Sequence, residues 1–181
     1  MNQKVTNYIV KYPTGQEPTI TKPAEFSSYR FILGKQGTCP LVAICMNPSA
    51  ADKTSSDRTI NRIIKISKSL NMDGWIVLNT YPERATNAKM INSFCQKLSD
   101  ENLTIIKNFL IENNIKEVWG AWGNDKNINA LVCGKNQLIT MLKDMGIKVY
   151  YFGTLTKKGN PRHPIQRWEK WDPSKKEYLP L

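Results

Sequence analysis

The chain has 181 residues, a length that suits one domain with its own hydrophobic core and is short for two. Its apolar fraction of 40% and charged fraction of 23% are ordinary for a globular protein and exclude a disordered or fibrous chain. Lys and Arg number 26 against 15 acidic residues, a net charge of +11, which favours a polyanionic partner such as nucleic acid; a solvated basic surface is the alternative.

The sequence has the features of a cytoplasmic protein. No apolar run approaches the ~18–20 residues that cross a bilayer, and residues 1–6 open no apolar stretch of the signal-peptide type. The cysteines show neither a Cys-x-x-Cys pair nor a closely placed histidine, which predicts reduced thiols rather than a metal site; they are Cys39, Cys45, Cys95 and Cys133. We expect a monomer that binds no metal ion, no cofactor and no membrane.

Buried strands alternate with amphipathic helices along the middle of the chain. Runs of mainly apolar residues predict buried strands at Leu41–Met46, Trp75–Leu78, Glu117–Trp122 and Ile147–Phe152. The first run is continuous, which is typical of a strand buried on both faces. Apolar residues at helical spacing predict a helix after each of the first three runs, around Ile60–Leu70, Leu103–Leu110 and Leu138–Leu142. Shorter strand candidates precede them at Tyr8–Lys11 and Tyr29–Leu33.

This alternation predicts an α/β fold: a three-layer sandwich with a mainly parallel central four-stranded sheet and helices on both faces. We expect one domain over residues 1–181, with an irregular lead-in at 1–28, a core at 29–168 and a tail at 169–181. Ligands in such folds bind at the carboxyl ends of the strands. The residues that follow each strand are therefore the candidates for function.

Polar residues follow the predicted strands. Asn47 comes after the first, Asn79 after the second, Trp122-Gly123 closes the third, and His163 comes after the fourth and a basic loop. Taken singly, each has a structural explanation, since Asn-Pro often begins a turn and a lone histidine is more often structural than catalytic. Their order along the chain, at one predicted rim, is what favours a functional site.

Those four segments resemble the motifs of the uracil-DNA glycosylase superfamily, over about residues 40–168. Cys45–Ser49 looks like the Gly-Ile-Asn-Pro-Gly motif of the mismatch-specific branch, and Val77–Thr80 is similar to the Leu-Leu-Asn-Thr strand end of the uracil-specific branch. Ala121–Gly123 matches a Leu-Trp-Gly strand end, and His163–Ile165 matches part of His-Pro-Ser-Pro-Leu. The chain also resembles a group of short bacterial and phage proteins with an Asn-Pro-Ser segment and a late His-Pro.

The resemblance implies hydrolysis of the N-glycosidic bond of a flipped base. Asn79 would read the base with one donor and one acceptor, and His163 would stabilise the negative charge that develops on it. Asn47 would orient the attacking water but cannot accept its proton, which implies a slow enzyme. Ser49 stands where the uracil-specific branch has a tyrosine and predicts a wider pocket, and Tyr81 is a candidate to stack on the base.

Basic residues surround His163 and predict a surface for DNA phosphates: Lys157, Lys158, Arg162, Arg167 and Lys170. The predicted partner is single-stranded or uracil-containing DNA, with a free pyrimidine as a further ligand. The leading interpretation is a uracil- or modified-pyrimidine-DNA glycosylase. The alternative is a catalytically inactive module that binds uracil, a nucleotide or single-stranded DNA in the same pocket, and a purely structural Asn47 side chain would favour it.

Overall fold

The computed structural model describes residues 10–165 and 172–181 as an α/β fold with one mixed sheet of seven strands. The strands are β1 (Ile20–Lys22), β2 (Ile32–Lys35), β3 (Pro40–Cys45), β4 (Gly74–Asn79), β5 (Glu117–Gly120), β6 (Lys148–Tyr151) and β7 (Glu177–Tyr178). The helices are α1 (Arg58–Ser69), α2 (Gln96–Glu112) and α3 (Asn129–Asp144), with a short 3-10 turn at Ala88–Met90.

The centre of the sheet is parallel and its margins are antiparallel. The strand order is β1-β2-β4-β3-β5-β6-β7, and β4, β3, β5 and β6 pair in parallel. From β3 the chain crosses to β4 on one side and then returns to place β5 on the other side of β3. The order therefore reverses at β3, and the crevice between the carboxyl ends of β3 and β5 is the switch point at which α/β sheets bind ligands.

The predicted sheet of four strands was too small. The four apolar runs correspond to β3, β4, β5 and β6, and the structure adds antiparallel strands of three, four and two residues. Strands this short carry too few residues for a periodic signal. Of the two shorter candidates, Tyr29–Leu33 overlaps β2. Tyr8–Lys11 falls partly outside the described residues, although Val10 forms an isolated bridge to Ser56.

Two apolar cores cover the two faces of the sheet because strand residues alternate between the faces. On one face Ala43 and Val77 pack with the α1 isoleucines, and on the other Ile44 and Leu78 pack with residues of α2 and α3. α1 buries Ile60, Ile63 and Ile64, the i, i+3, i+4 pattern of an amphipathic helix. None of the helices in the described part of the chain has the length and apolar character of a membrane span.

Candidate functional site

A pocket of about 450 Å³ lies at the switch point of the sheet. Three groups of residues that line it are Cys45–Asn47 after β3, Trp122–Asn124 after β5, and His163 with Ile165. Thr59 and Ile60 in the first turn of α1 close another side. Its volume falls within the range of about 300–1,000 Å³ that small-molecule sites occupy. Of the polar residues that the sequence analysis expected at one rim, the structure brings Asn47 and His163 to this pocket.

Asn47 lines the pocket and at the same time joins two loops. Its Nδ2 donates hydrogen bonds of 2.9 Å to the carbonyl oxygens of Pro48 and Ala85. The amide nitrogen is therefore committed to the backbone, and the orientation of the side chain is fixed. Ser49, two residues further on, also lines the pocket, and its carbonyl oxygen accepts a hydrogen bond from Arg84.

His163 is half-buried and lines the same pocket. Burial lowers the pKa of His163 below its ordinary value of 6.5, and nearby Asp57 opposes this effect. The imidazole is consequently neutral at pH 7. Its Nδ1 accepts a long hydrogen bond of 3.4 Å from the backbone N–H of Ile165, which leaves Nε2 as the donor of the neutral ring.

Gly123 allows the segment that contains Pro161 and His163 to lie close to the loop after β5. Its φ is +67°, and a Cβ at this position would lie 3.2 Å from the Cβ of His163. The Gly123 N–H also donates to the carbonyl of Pro161 at 3.0 Å. The positive φ therefore favours glycine here, and any larger residue would also bring its Cβ into tight contact with His163.

A polar network connects the loop after β5, residues 122–125, with Asn160 in the loop before His163. Lys135 on α3 forms an ion pair with Asp125 at 2.6 Å and donates to Asn160 Oδ1 at 3.2 Å. The same Asn160 oxygen accepts from Trp122 Nε1 at 3.3 Å, and its amide nitrogen donates to Asn124. Since Trp122 and Asn124 both line the pocket, this network sets the position of its wall.

Two charged residues of the pocket were not among the predicted site residues. Asp57 lines the pocket and caps α1, since its Oδ1 accepts from the Ile60 N–H at 2.9 Å. Arg30 also lines the pocket although only 2% of it is exposed. Burial and the guanidinium of Arg84 lower the pKa of Arg30 to about 10, while Asp57 acts in the opposite direction. Arg30 therefore remains cationic at neutral pH.

Tyr81 lies outside the pocket, which corrects its prediction as a base-contacting residue. It is fully buried in the core below α2 and packs against Phe94 with ring centroids 5.9 Å apart. Its hydroxyl accepts a hydrogen bond of 3.1 Å from the Cys95 N–H. Apolar burial and this bond explain the residue as structural. Trp122, by contrast, does line the pocket.

Asn79 lies beneath the pocket and does not line it. It is fully buried, its Nδ2 donates to the Arg30 carbonyl at 3.3 Å, and its own carbonyl accepts from Asn102. Its Oδ1 has no hydrogen-bond partner among the described residues. Asn79 shares a strand face with Val77 and is in register with Cys45, and both of these neighbours line the pocket.

Two basic side chains of the loop before His163 form hydrogen bonds within the protein. Arg162 donates to the carbonyl and hydroxyl oxygens of Thr154, and Lys158 donates to Asn127 Oδ1 at 2.8 Å. Lys157 is exposed. Arg167 and Lys170 lie outside the described residues. Lys126, which the prediction did not include, is exposed on the rim of the pocket.

These features define an α/β protein with a polar pocket at the switch point of its sheet. The chain belongs to the family described as Protein of unknown function (DUF1643), which matches residues 30–165. The first and last matched residues, Arg30 and Ile165, both line the pocket. Comparison with curated proteins and with solved structures gives no match.

Proposed function

We propose that the chain is a DNA glycosylase-like protein that binds an extruded pyrimidine in this pocket and hydrolyses its N-glycosidic bond. One observation carries the proposal: Asn47 and His163, from segments more than a hundred residues apart, line the same pocket at the switch point. The parallel strand order, with helices packed on both faces, suits the three-layer sandwich of the uracil-DNA glycosylase superfamily.

The chemistry requires a donor for the departing base and an oriented water for the sugar. The neutral imidazole of His163 carries an N–H that can donate a hydrogen bond to a base oxygen. This hydrogen bond would strengthen as negative charge builds on that oxygen. Asn47 has its Nδ2 fixed by two carbonyl groups, so that its Oδ1 is the atom available to accept a hydrogen bond from water. An amide cannot take the proton, and we expect slow turnover.

The basic side of α1 is the surface that suits a DNA strand entering this pocket. Arg58, Lys65 and Lys68 are exposed on α1, which contains no acidic residue, and the first turn of this helix borders the pocket. A cationic helix beside a pocket can hold the phosphates while a base is extruded. The loop with Lys158 and Arg162 is less suited, since those side chains bond within the protein.

Strand scission tests the hydrolysis. The protein is incubated with a single-stranded oligonucleotide that contains one uracil, then treated with alkali, under single-turnover conditions. We expect cleavage at the uracil, a loss of about 10²–10³-fold in rate for His163→Ala, and no change for Asn108→Ala, an exposed asparagine on α2. The absence of scission on uracil and on 5-substituted uracil would refute the enzymatic part of the proposal.

The salt dependence of DNA binding tests the proposed surface. Replacing Lys65 and Lys68 by glutamine should flatten the slope of log K against log salt by about 1.4 units, because each phosphate of a single strand that a lysine neutralises adds ~0.7 to the slope. The matched control replaces Lys97 and Lys107, which are exposed on α2 across the sheet. Equal slopes for both double variants would exclude α1 as the phosphate-binding surface.

A binding module without catalysis is the second candidate, and the hydrogen bonds of Asn47 favour it. The Nδ2 of this side chain is saturated by the backbone carbonyls of Pro48 and Ala85, as expected for a structural asparagine. Such a module would bind uracil or single-stranded DNA and show no scission. The two candidates therefore differ in the cleavage assay and agree in the binding assays.

A further inference from the structure

Arg30 is a buried cation without an acidic partner. Its Nη1 donates to the Ala51 carbonyl at 2.7 Å, whereas its Nε has no hydrogen-bond partner in the part of the chain that the structure describes. Among residues 10–165 and 172–181, no carboxylate forms an ion pair with it. Burying a charge without a paired anion is costly. Nη2 also forms no hydrogen bond within the described residues, but unlike Nε it is not fully shielded, so it is the donor that a ligand in the pocket can reach.

Asp57 brings the opposite hydrogen-bonding character to the same pocket. One oxygen, Oδ1, caps α1 by accepting from the Ile60 N–H at 2.9 Å. Oδ2 has no hydrogen bond within the described residues, and a carboxylate can only accept. A guanidinium can only donate. The pocket therefore offers a ligand one group that only donates and one that only accepts.

We propose that Arg30 and Asp57 select a cyclic imide edge, in which a carbonyl oxygen stands beside a ring N–H. The carbonyl accepts from Arg30 and the N–H donates to Asp57. Uracil and 5-substituted uracils carry this edge, whereas cytosine presents O2 beside an unprotonated N3, two acceptors in a row. This assignment rests on the proposed pyrimidine pocket, and it moves base selection from Asn79, which lies beneath the pocket, to two residues that line it.

The first experiment measures binding of N1-methylated bases to the natural protein by calorimetry, because the methyl group stands in for the sugar and removes the N1–H that free uracil and free cytosine share. 1-Methyluracil should bind about tenfold or more tightly than 1-methylcytosine, and also than 1,3-dimethyluracil, in which a second methyl group replaces the N3–H. Inorganic phosphate is the fourth probe and tests for a simple anion site. Equal affinity for 1-methyluracil and 1-methylcytosine, no binding of any base, or phosphate displacing 1-methyluracil without a preference among bases would each overturn the proposal.

The second experiment exchanges the acceptor for a donor. Asp57→Asn keeps an amide oxygen for the α1 cap and turns the other end of the side chain into an NH₂ group. The affinity for 1-methyluracil should fall about tenfold, and the preference over 1-methylcytosine should disappear, because two donors now face the two acceptors of cytosine. An unchanged preference would refute the role of Asp57.

A matched arginine provides the control for Arg30. Arg84 donates to the same Ala51 carbonyl at 2.8 Å but does not line the pocket. Arg30→Lys should weaken uracil binding, and Arg84→Lys should leave the uracil preference unchanged. If Arg30→Lys does not fold, the base series and Asp57→Asn still decide the matter. Uracil preference without strand scission would refute hydrolysis alone, whereas scission with an unchanged preference in Asp57→Asn would refute the imide assignment alone.

Discussion

Replacing Lys135 by methionine removes the cation from the network that holds the pocket wall. The side chains of Lys135 and Asp125 are 13% and 11% exposed, and their 2.6 Å ion pair is therefore largely shielded from water. Breaking a fully buried pair costs about 3–5 kcal/mol, mainly because the remaining charge loses its partner. The residual exposure lets water reach the Asp125 carboxylate, so we expect a loss of about 2–3 kcal/mol.

For a chain of this length, that loss lowers Tm by about 4–12 °C, at ~2–4 °C per kcal/mol. Urea unfolding and thermal melts measure it. Lys135→Met combined with Asp125→Asn should recover at least half of the loss, since no uncompensated charge then remains. The control is Lys53→Met, which breaks a 3.7 Å pair with Glu25 whose side chains are 54% and 92% exposed. A loss no larger than in this control, or no coupling in the double variant, would refute the reasoning.

Two further predictions concern His163 and Gly123. Because burial holds the pKa of His163 below its ordinary 6.5, the folded chain binds this proton less tightly than the unfolded chain. The stability that the neutral His163 contributes is thus complete above pH 6.5 and is lost as the pH falls from there to the pKa of the folded protein. The midpoints of urea unfolding at pH 7.5 and 5.5 should therefore differ more in the natural protein than in His163→Gln. Gly123→Ala should destabilise more than Gly146→Ala in thermal melts: both glycines have φ +67°, but only at position 123 would the added Cβ meet His163, and equal losses would show that this contact is unimportant.

The parallel centre of the sheet could be predicted because its strands are buried on both faces. Leu41–Cys45 and Trp75–Leu78 consist of consecutive apolar residues, and this pattern needs no knowledge of the rest of the fold. The margins differ, since β7 has two residues and is recognisable only by its pairing with β6. Tertiary pairing, rather than local sequence, defines such strands.

The candidate site was predictable where a residue directly follows a parallel strand. Asn47 is such a residue, and the predicted topology alone brings it to the rim. Asp57 carried a detectable signal as a capping residue before the isoleucine pattern of α1, but capping alone does not show that the side chain faces a pocket. The sequence around Arg30 has no signal of this kind, because the position of Arg30 depends on the antiparallel pairing of β2 with β4. Tyr81 was misassigned because adjacency in sequence to Asn79 does not determine which way a side chain points.

The short outer strands also affect how one sheet meets another. An open edge of a long, regular strand is a template on which a second chain adds, and it is a common origin of fibres. Here the outermost strands have three and two residues, and Lys22 ends one of them while Lys175 and Lys176 precede the other. Each margin thus offers few backbone groups to a neighbour and carries positive charge that repels a second copy. Deleting residues 175–181 would expose the edge of β6, in which Val149 and Tyr150 are buried, and the truncated chain should aggregate at concentrations at which the natural chain stays dispersed.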